Sequence, residues 1–180
     1  MRGHSFQQRW FQRRQLFSKK VPHEIQTWLF DPASLTARLK AICPAEFRVE
    51  LLSQSMCKPR LDELSALGMG VGANALVREV RLCCGDTGWV YARTVIPFST
   101  ITGAQRIYAN LGTRPLGAML FADRTMRRED VMVTVVYGDD LPQLLGLDAA
   151  SKVWGRRSVF RVGGKPLLVS EYYLPELLQQ

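Results

Sequence analysis

Two pairs of apolar segments along the chain predict β-hairpins. In the first pair, segment 75–84 is rich in aliphatic residues, and the turn sequence GDTG separates it from a second apolar segment that begins at Trp89. In the second pair, GGK joins RRSVFRV to PLLVSEYYL. Short glycine-containing turns between such segments are typical of antiparallel hairpins. The pattern therefore predicts four strands that pair in two hairpins.

Two further segments, FRVELLSQS and VMVTVVY, have the apolar and β-branched composition of strands. Together with the hairpins they make six predicted strands, linked by turns and by inserted helical segments. Consecutive strands joined by hairpins favour antiparallel pairing, whereas parallel sheets need a helical crossover after each strand. The expected fold class is α+β: a single domain with a six-stranded antiparallel sheet and inserted helices.

The segments between the strands show the apolar spacing of helices. Asp31 and Ser34 are candidate N-caps for one of them, and Pro115 stands at a favoured first-turn position of another. Segment 57–74, with a proline and several glycines, is predicted to be mostly loop. Helices are predicted over 21–30, 31–42, 102–112 and 114–121.

The distribution of charge divides the chain unevenly. Of the net charge of +8, the first 20 residues contribute six basic and no acidic side chains, and the rest carries about +2. We therefore expect a basic, flexible tail at 1–20 and one domain at 21–180. A nearly neutral domain favours a small-molecule site over specific nucleic-acid binding. The tail offers weak contact with phosphates or a membrane surface, through Arg2, Trp10, Phe11, Arg13 and Arg14.

The cysteines and histidines do not show the spacing of metal ligands. No Cys-x-x-Cys pair occurs, and both histidines are near the N-terminus, so no metal site and no disulfide are expected. The longest apolar runs fall short of the roughly 20 residues of a membrane span, and no signal peptide is evident. These observations predict a cytoplasmic protein with reduced thiols. The cysteines are Cys43, Cys57, Cys83 and Cys84, and the histidines are His4 and His23.

Two charged residues interrupt otherwise apolar strand faces. Side chains alternate along a strand, so Glu171 shares a face with Val169 and Tyr173. By the same alternation Arg78 lies on the apolar face of segment 75–84, while Glu79 marks the other face as solvent-exposed. A buried charge needs a partner or a ligand, because leaving it unpaired is costly.

Two explanations of these charges remain open. Arg78 and Glu171 could form an inward ion pair, or a β-bulge could shift the alternation. Alternatively both face a ligand pocket, where Arg78 clamps a carboxylate and Glu171 meets a hydroxyl or a proton. The backbone N–H groups of Leu116 and Gly117, at a helix start, are either a third anion-binding element or a solvated cap.

Three segments of the chain resemble the signature segments of bacterial chorismate pyruvate-lyases. They are WGRRSVFRVGGKPLLVSEYYLP, VREVRLCCGDTGWVYARTVIP and LGTRPLGAMLF, and SLTARL resembles that family's N-terminal segment. The resemblance covers most of residues 21–175 in the family's order and leaves out the basic tail. The segment between Phe121 and Trp154 looks longer than in short members, which suggests a larger flap or an extra hairpin.

The resemblance implies an activity and a set of site residues. The family removes the enolpyruvyl group of chorismate, giving 4-hydroxybenzoate and pyruvate, as the entry step of ubiquinone synthesis. It needs no metal or cofactor and acts as a monomer. The family's carboxylate-binding arginine corresponds to Arg78, its main-chain contact to Leu116, and its hydroxyl-binding glutamate to Glu171. Its first binding position, often methionine, is Leu35 here.

The residues leave several mechanistic alternatives open. Glu171 could accept the C4 proton as a general base, or a cyclic elimination could need no base. Arg157 and Lys165 are candidates for the enolpyruvyl carboxylate, and both could equally be solvated. The same fold also serves as an effector-sensing domain of transcription regulators, so a non-catalytic binding module for aromatic acids is the alternative function. A DNA-binding domain is not expected within the short basic tail.

Overall fold

The computed structural model describes residues 8–16 and 21–179, and in them a single antiparallel sheet runs through the molecule. The strand order is β1-β6-β7-β8-β4-β3-β2, and β5 pairs with β7 on the side of β6. The strands are β1 (Phe11–Gln12), β2 (Phe47–Cys57), β3 (Ala75–Cys84), β4 (Thr87–Pro97), β5 (Arg127–Arg128), β6 (Met132–Tyr137), β7 (Lys152–Val162) and β8 (Lys165–Tyr173).

The predicted α+β class and both hairpins are confirmed. The six predicted strands are present as β2, β3, β4, β6, β7 and β8, and the sheet has two more strands than expected. Strands β1 and β5 contain two residues each. Such short segments show no alternation in sequence, so only their pairing partners reveal them.

Four α-helices accompany the sheet in the described part of the chain. They are α1 (His23–Leu29), α2 (Leu35–Ile42), α3 (Leu61–Leu67) and α4 (Leu116–Ala122). Ser34 rather than Asp31 is the N-cap of α2, because its hydroxyl accepts a hydrogen bond from the Ala37 N–H. The predicted helix over 102–112 is a 3₁₀ helix at Gly103–Ala109.

Segment 57–74 is mostly loop as expected, but it also contains the helix α3, which was not predicted. The Glu63 side chain accepts a hydrogen bond from the Arg60 N–H at 2.8 Å, which stabilises the first turn. Gly68 ends the helix in the left-handed conformation, at φ 64°. The helix has seven residues, too few for its apolar spacing to be recognised between a proline and several glycines.

The N-terminal segment is not a free tail over its described part. Phe11 pairs with Val133 of β6, and the Tyr172 hydroxyl donates to Gln8 Oε1 at 2.8 Å. Trp10 donates its indole N–H to Asp62 at 2.9 Å. Residues 8–16 therefore pack on the domain and are not a free tail, and Trp10 and Phe11 lie partly buried against its core. Residues 1–7 and 17–20 lie outside the described residues.

Both faces of the sheet are covered. Helices α1, α2 and α4 lie over one face, where Val80, Leu82 and Ala92 join the core. On the other face α3 covers Glu79, which was expected to mark a solvent-exposed surface. There Arg93 binds Glu63 at 2.6 Å and Glu79 at 2.9 Å, so a network forms in which Glu63 and Arg93 are buried and Glu79 is partly exposed.

The expectation of four reduced thiols is also wrong. Cys43, which follows α2, forms a disulfide with Cys84 at the end of β3. The pairing of Phe47 with Cys84 brings these two parts of the chain together, since Cys43 lies just before β2. Cys57 and Cys83 remain free. Among the described residues, no helix has the length and apolarity that a membrane span requires.

Candidate active site

A cavity lies between the sheet and helices α2 and α4. It encloses about 570 Å³ when the open space at its mouth is included. The four predicted site residues Leu35, Arg78, Leu116 and Glu171 all line it. Most of the remaining wall is apolar and is formed by Val49, Val80, Leu82, Ala92, Pro115, Leu120, Phe121, Phe160 and Val169.

Arg78 enters the cavity from β3, on the face that the alternation predicts. The residue is 2% exposed, and its Nη2 donates to the carbonyl oxygens of Gly112 at 2.9 Å and Arg114 at 3.3 Å. Its Nε is buried and has no acceptor among the described residues, and no carboxylate there pairs with it. Burial lowers the pKa of Arg78. The guanidinium is therefore a buried cation that has no counter-ion within residues 8–16 and 21–179.

Glu171 is held by a neighbour on the adjacent strand. Arg156 of β7 is its cross-strand partner, and Arg156 Nε donates to Glu171 Oε2 at 2.6 Å. Arg156 Nη1 donates to the carbonyl oxygens of Trp28 and Asp31. Burial opposes the charge on Arg156, but the Glu171 carboxylate outweighs burial and raises the pKa of Arg156.

The structure thus decides between the two explanations of the misplaced charges. Glu171 does form an ion pair, but with Arg156 and not with Arg78. The register of β7 against β8 is continuous, and the shifts beside β3 lie at Leu51/Ser53 and Leu82/Cys83, away from Arg78. Oε1 of Glu171 accepts no hydrogen bond from the described residues. One cation and one carboxylate oxygen therefore remain open to the cavity.

Arg128 of β5 is a cavity residue that the sequence analysis did not single out. Its Nε donates to Ser158 Oγ at 3.0 Å, its Nη1 donates to the Asp31 carbonyl oxygen at 3.2 Å, and its guanidinium lies over the Phe160 ring. Burial and then the charge of Arg156 lower the pKa of Arg128. A two-residue strand within a charged segment gives no alternation from which its orientation could be predicted.

The charges of the cavity wall do not balance. Three guanidinium groups and one carboxylate line it, which gives a net formal charge of +2. These groups belong to Arg78, Arg128, Arg156 and Glu171. A wall that is otherwise largely apolar strengthens the attraction between these groups and an anion. The arrangement suits a small, partly apolar ligand with two negative charges.

The first residues of α2 and α4 close the cavity on the side away from the sheet. A Cβ atom added to Gly117 would lie 2.9 Å from the Thr36 hydroxyl oxygen, so only glycine permits this approach. Leu35 and Leu116 are each 6% exposed. No group of three His, Cys, Asp or Glu side chains in the described part of the chain is arranged to hold a metal ion.

The two predicted candidates for a second carboxylate lie elsewhere. Arg157 follows Arg156 in β7 and therefore points to the opposite face, where it binds Asp62 at 2.7 Å. Lys165 donates to Thr102 and Gln105 at the far end of the β7–β8 hairpin. Neither candidate lines the cavity, whereas Arg128 and Arg156 do so together with Glu171.

Solved structures with a similar fold include bacterial regulators. PhnF from Mycobacterium smegmatis superposes with a TM-score of 0.60 at 18% identity, covering 80% of this chain and 64% of that one. The C-terminal domain of the histidine utilization repressor from Pseudomonas syringae gives a TM-score of 0.56 at 12% identity, with 73% and 93% covered. At these identities the likeness shows the fold alone.

Sequence comparisons give the family. The family described as "Chorismate lyase" matches residues 6–180, so most of the basic segment lies inside the match, contrary to expectation. A protein of Methylococcus capsulatus named "Probable chorismate pyruvate-lyase" is 42% identical over 86% of this chain and 96% of its own. One of Pseudomonas aeruginosa with the same name is 40% identical, with 95% and 93% covered. The chain therefore belongs to the chorismate lyase family and is a lyase.

Proposed function

We propose that the protein is a chorismate pyruvate-lyase, which converts chorismate into 4-hydroxybenzoate and pyruvate. The observation that carries the proposal is the buried guanidinium of Arg78, which has no counter-ion in the described part of the chain and lines a largely apolar cavity together with Glu171. The names of the related proteins support the same reaction. The enzyme would supply 4-hydroxybenzoate to ubiquinone synthesis as a cytoplasmic monomer. A deletion strain that recovers ubiquinone on added 4-hydroxybenzoate would support that role.

Arg78 binds the ring carboxylate in this proposal. Its Nε is an unused donor among the described residues, and a guanidinium can donate two parallel hydrogen bonds to a carboxylate. Arg78 and Glu171 are separated by one intervening strand and by two positions along the strand direction, so their Cα atoms are roughly 12 Å apart. Between two side chains, this distance leaves room for one six-membered ring with polar groups at opposite ends.

Glu171 receives the C4 hydroxyl at the other end of the ring. Its Oε1 is the open acceptor, and Arg156 holds the carboxylate in position through Oε2. Leu35 and Leu116 contact the ring from the starts of α2 and α4. The family often has methionine at the position of Leu35. A contact made by the backbone of Leu35 is the same with either side chain.

The reaction is an elimination that completes an aromatic ring. The C3–O bond breaks with its electron pair on the ether oxygen, the C4 hydrogen is lost, and the released enolpyruvate takes up a proton at its methylene carbon to become pyruvate. Aromaticity drives the step, so the protein mainly orients the substrate and stabilises the developing charge. The C4 proton goes either to Glu171 or directly to the methylene carbon in a cyclic transition state.

The test is to incubate the purified protein with chorismate, without added metal or cofactor, and to separate the aromatic products. We expect enzyme-dependent 4-hydroxybenzoate with an equal amount of pyruvate. Decay of chorismate at the background rate would overturn the proposal. In that event, calorimetric binding of 4-hydroxybenzoate without turnover would instead indicate the non-catalytic module.

A further inference from the structure

We propose that Arg128 binds the second carboxylate of the substrate, the one on the enolpyruvyl group. This inference rests on the proposed function, because that function supplies the ligand with two carboxylates. The wall of the cavity carries two more positive than negative formal charges, and the ring carboxylate accounts for one of them.

The order of the strands places Arg128 on the required side of the cavity. The strands follow one another across the sheet in the order β5, β7, β8, β4 and β3. Arg128 is on β5 at one end of this order and Arg78 is on β3 at the other. Arg156 on β7 and Glu171 on β8 lie between them. The enolpyruvyl ether is on C3 of the ring, next to the C4 hydroxyl. With the hydroxyl at Glu171, the second carboxylate therefore points away from Arg78, toward Arg128 and Arg156.

Of these two cations, Arg128 is the one without an acidic partner. Arg156 uses Nε for Glu171 and Nη1 for two carbonyl oxygens. Arg128 Nη2 donates to no atom of the described residues, and no carboxylate there pairs with the residue. The positive charge of Arg156 disfavours the charged form of Arg128, so an anion placed beside Arg128 relieves this repulsion.

The remaining contacts of Arg128 hold its guanidinium in a fixed orientation. Nε donates to Ser158, Nη1 donates to the Asp31 carbonyl oxygen, and Cζ lies over the Phe160 ring at 5.3 Å from its centroid. A guanidinium held in this way loses little freedom when it binds a ligand. Because 4-hydroxybenzoate lacks the second carboxylate, Arg128 distinguishes the substrate from the aromatic product.

The experiment compares chorismate and 4-hydroxybenzoate in the variants Arg128→Gln, Arg128→Lys and Arg78→Gln. We expect Arg128→Gln to raise the KM for chorismate by about 10- to 100-fold, the range for a lost charge-assisted hydrogen bond, and to leave the Kd of 4-hydroxybenzoate nearly unchanged. Arg128→Lys should recover part of the loss. Arg78→Gln should weaken both ligands, since both carry the ring carboxylate.

Retained binding of 4-hydroxybenzoate shows that the Arg128 variants are folded. The exposed neighbour Arg127 is the matched control, and Arg127→Gln should behave as the wild type. Equal weakening of both ligands in Arg128→Gln, or an unchanged KM for chorismate, would overturn the inference. If the wild type does not turn chorismate over, the lyase proposal fails, and the Kd of chorismate then tests Arg128 by the same comparison.

Discussion

Arg78 shows what a single residue contributes to this cavity. A buried arginine normally pairs with a carboxylate, because removing its charge from water is costly. Arg78 instead binds two carbonyl oxygens of the segment before α4 and keeps Nε unpaired. The fold tolerates this unsatisfied donor where a ligand carboxylate would satisfy it.

Replacing Arg78 by lysine should separate charge from geometry. Lysine keeps the charge but cannot form two parallel hydrogen bonds with a carboxylate, so we expect the Kd of 4-hydroxybenzoate to rise by about 10-fold or more. Titration calorimetry measures the change. An affinity equal to that of the wild type would show that the paired geometry is not used.

Glu171 has a structural role besides its proposed catalytic one. Glu171→Gln leaves Arg156 buried at 2% exposure without its carboxylate, so we expect the free energy of unfolding to fall by about 3 kcal/mol. Glu129→Gln is the control, because it removes an exposed pair with Arg161 and should change stability little. Denaturant titration compares the two variants.

Near-full turnover by Glu171→Gln would exclude an obligatory base at this position.

At the scale of elements, contacts between helices and the sheet form both the cavity and the opposite core. Helices α2 and α4 meet at Thr36 and Gly117 on the cavity side. On the other face, Glu63 of α3 binds Arg93 of β4, and Arg93 also binds Glu79 of β3. The same strands therefore carry a ligand site on one face and a closed charge network on the other.

Gly117→Ala should loosen the cover of the cavity. The added Cβ would lie 2.9 Å from the Thr36 oxygen, so either the Thr36 side chain or the two helices must shift. We expect faster release and weaker binding of 4-hydroxybenzoate, measured by stopped-flow competition. The double variant Gly117→Ala/Thr36→Ala removes the clash and should restore binding. A double variant as weak as the single one would mean that this contact does not govern closure.

The network under α3 should make stability depend on pH. Burial opposes ionisation of Glu79, but hydrogen bonds from Tyr91, Ser53 and Arg93 outweigh it and hold the pKa of Glu79 below its usual value. A lowered pKa gives stability that is present above the unfolded-state value of about 4.3 and is lost as the pH falls through the folded-state value.

Glu79→Gln should therefore destabilise the protein at pH 7, and the difference from the wild type should shrink as the pH falls below about 4.3. Thermal unfolding across this range measures it. Asp86→Asn, which changes an exposed pair with Arg48, is the control and should show little difference at any pH. A difference for Glu79→Gln that stays constant with pH would contradict the role of its charge.

At the scale of the whole molecule, the Cys43–Cys84 disulfide joins the segment after α2 to the end of β3. The bond closes a loop across a sequence separation of 41 residues, which corresponds to about 4 kcal/mol in the chain-entropy account. We expect Cys43→Ser and a reducing agent to lower the melting temperature to a similar extent. An unchanged melting temperature in both cases would show that the bond does not contribute to stability.

The sequence by itself determined six strands of the sheet, its two hairpins and the inward orientation of Arg78 and Glu171. These follow from local geometry, because side chains alternate along any regular strand and short turns force neighbouring strands to pair. The helix start at Leu116 was also a candidate from the sequence, and the resemblance added Leu35; the position of both in the cavity depends on where two helices begin.

Only the tertiary structure decided which groups these residues meet. Arg156 pairs with Glu171 because β7 and β8 align in one register, and Arg128 reaches the cavity because a two-residue strand adds to β7. The pairing of Phe47 with Cys84 likewise brings the disulfide together. Each of these contacts joins segments that are distant along the chain, so no local pattern of residues specifies it.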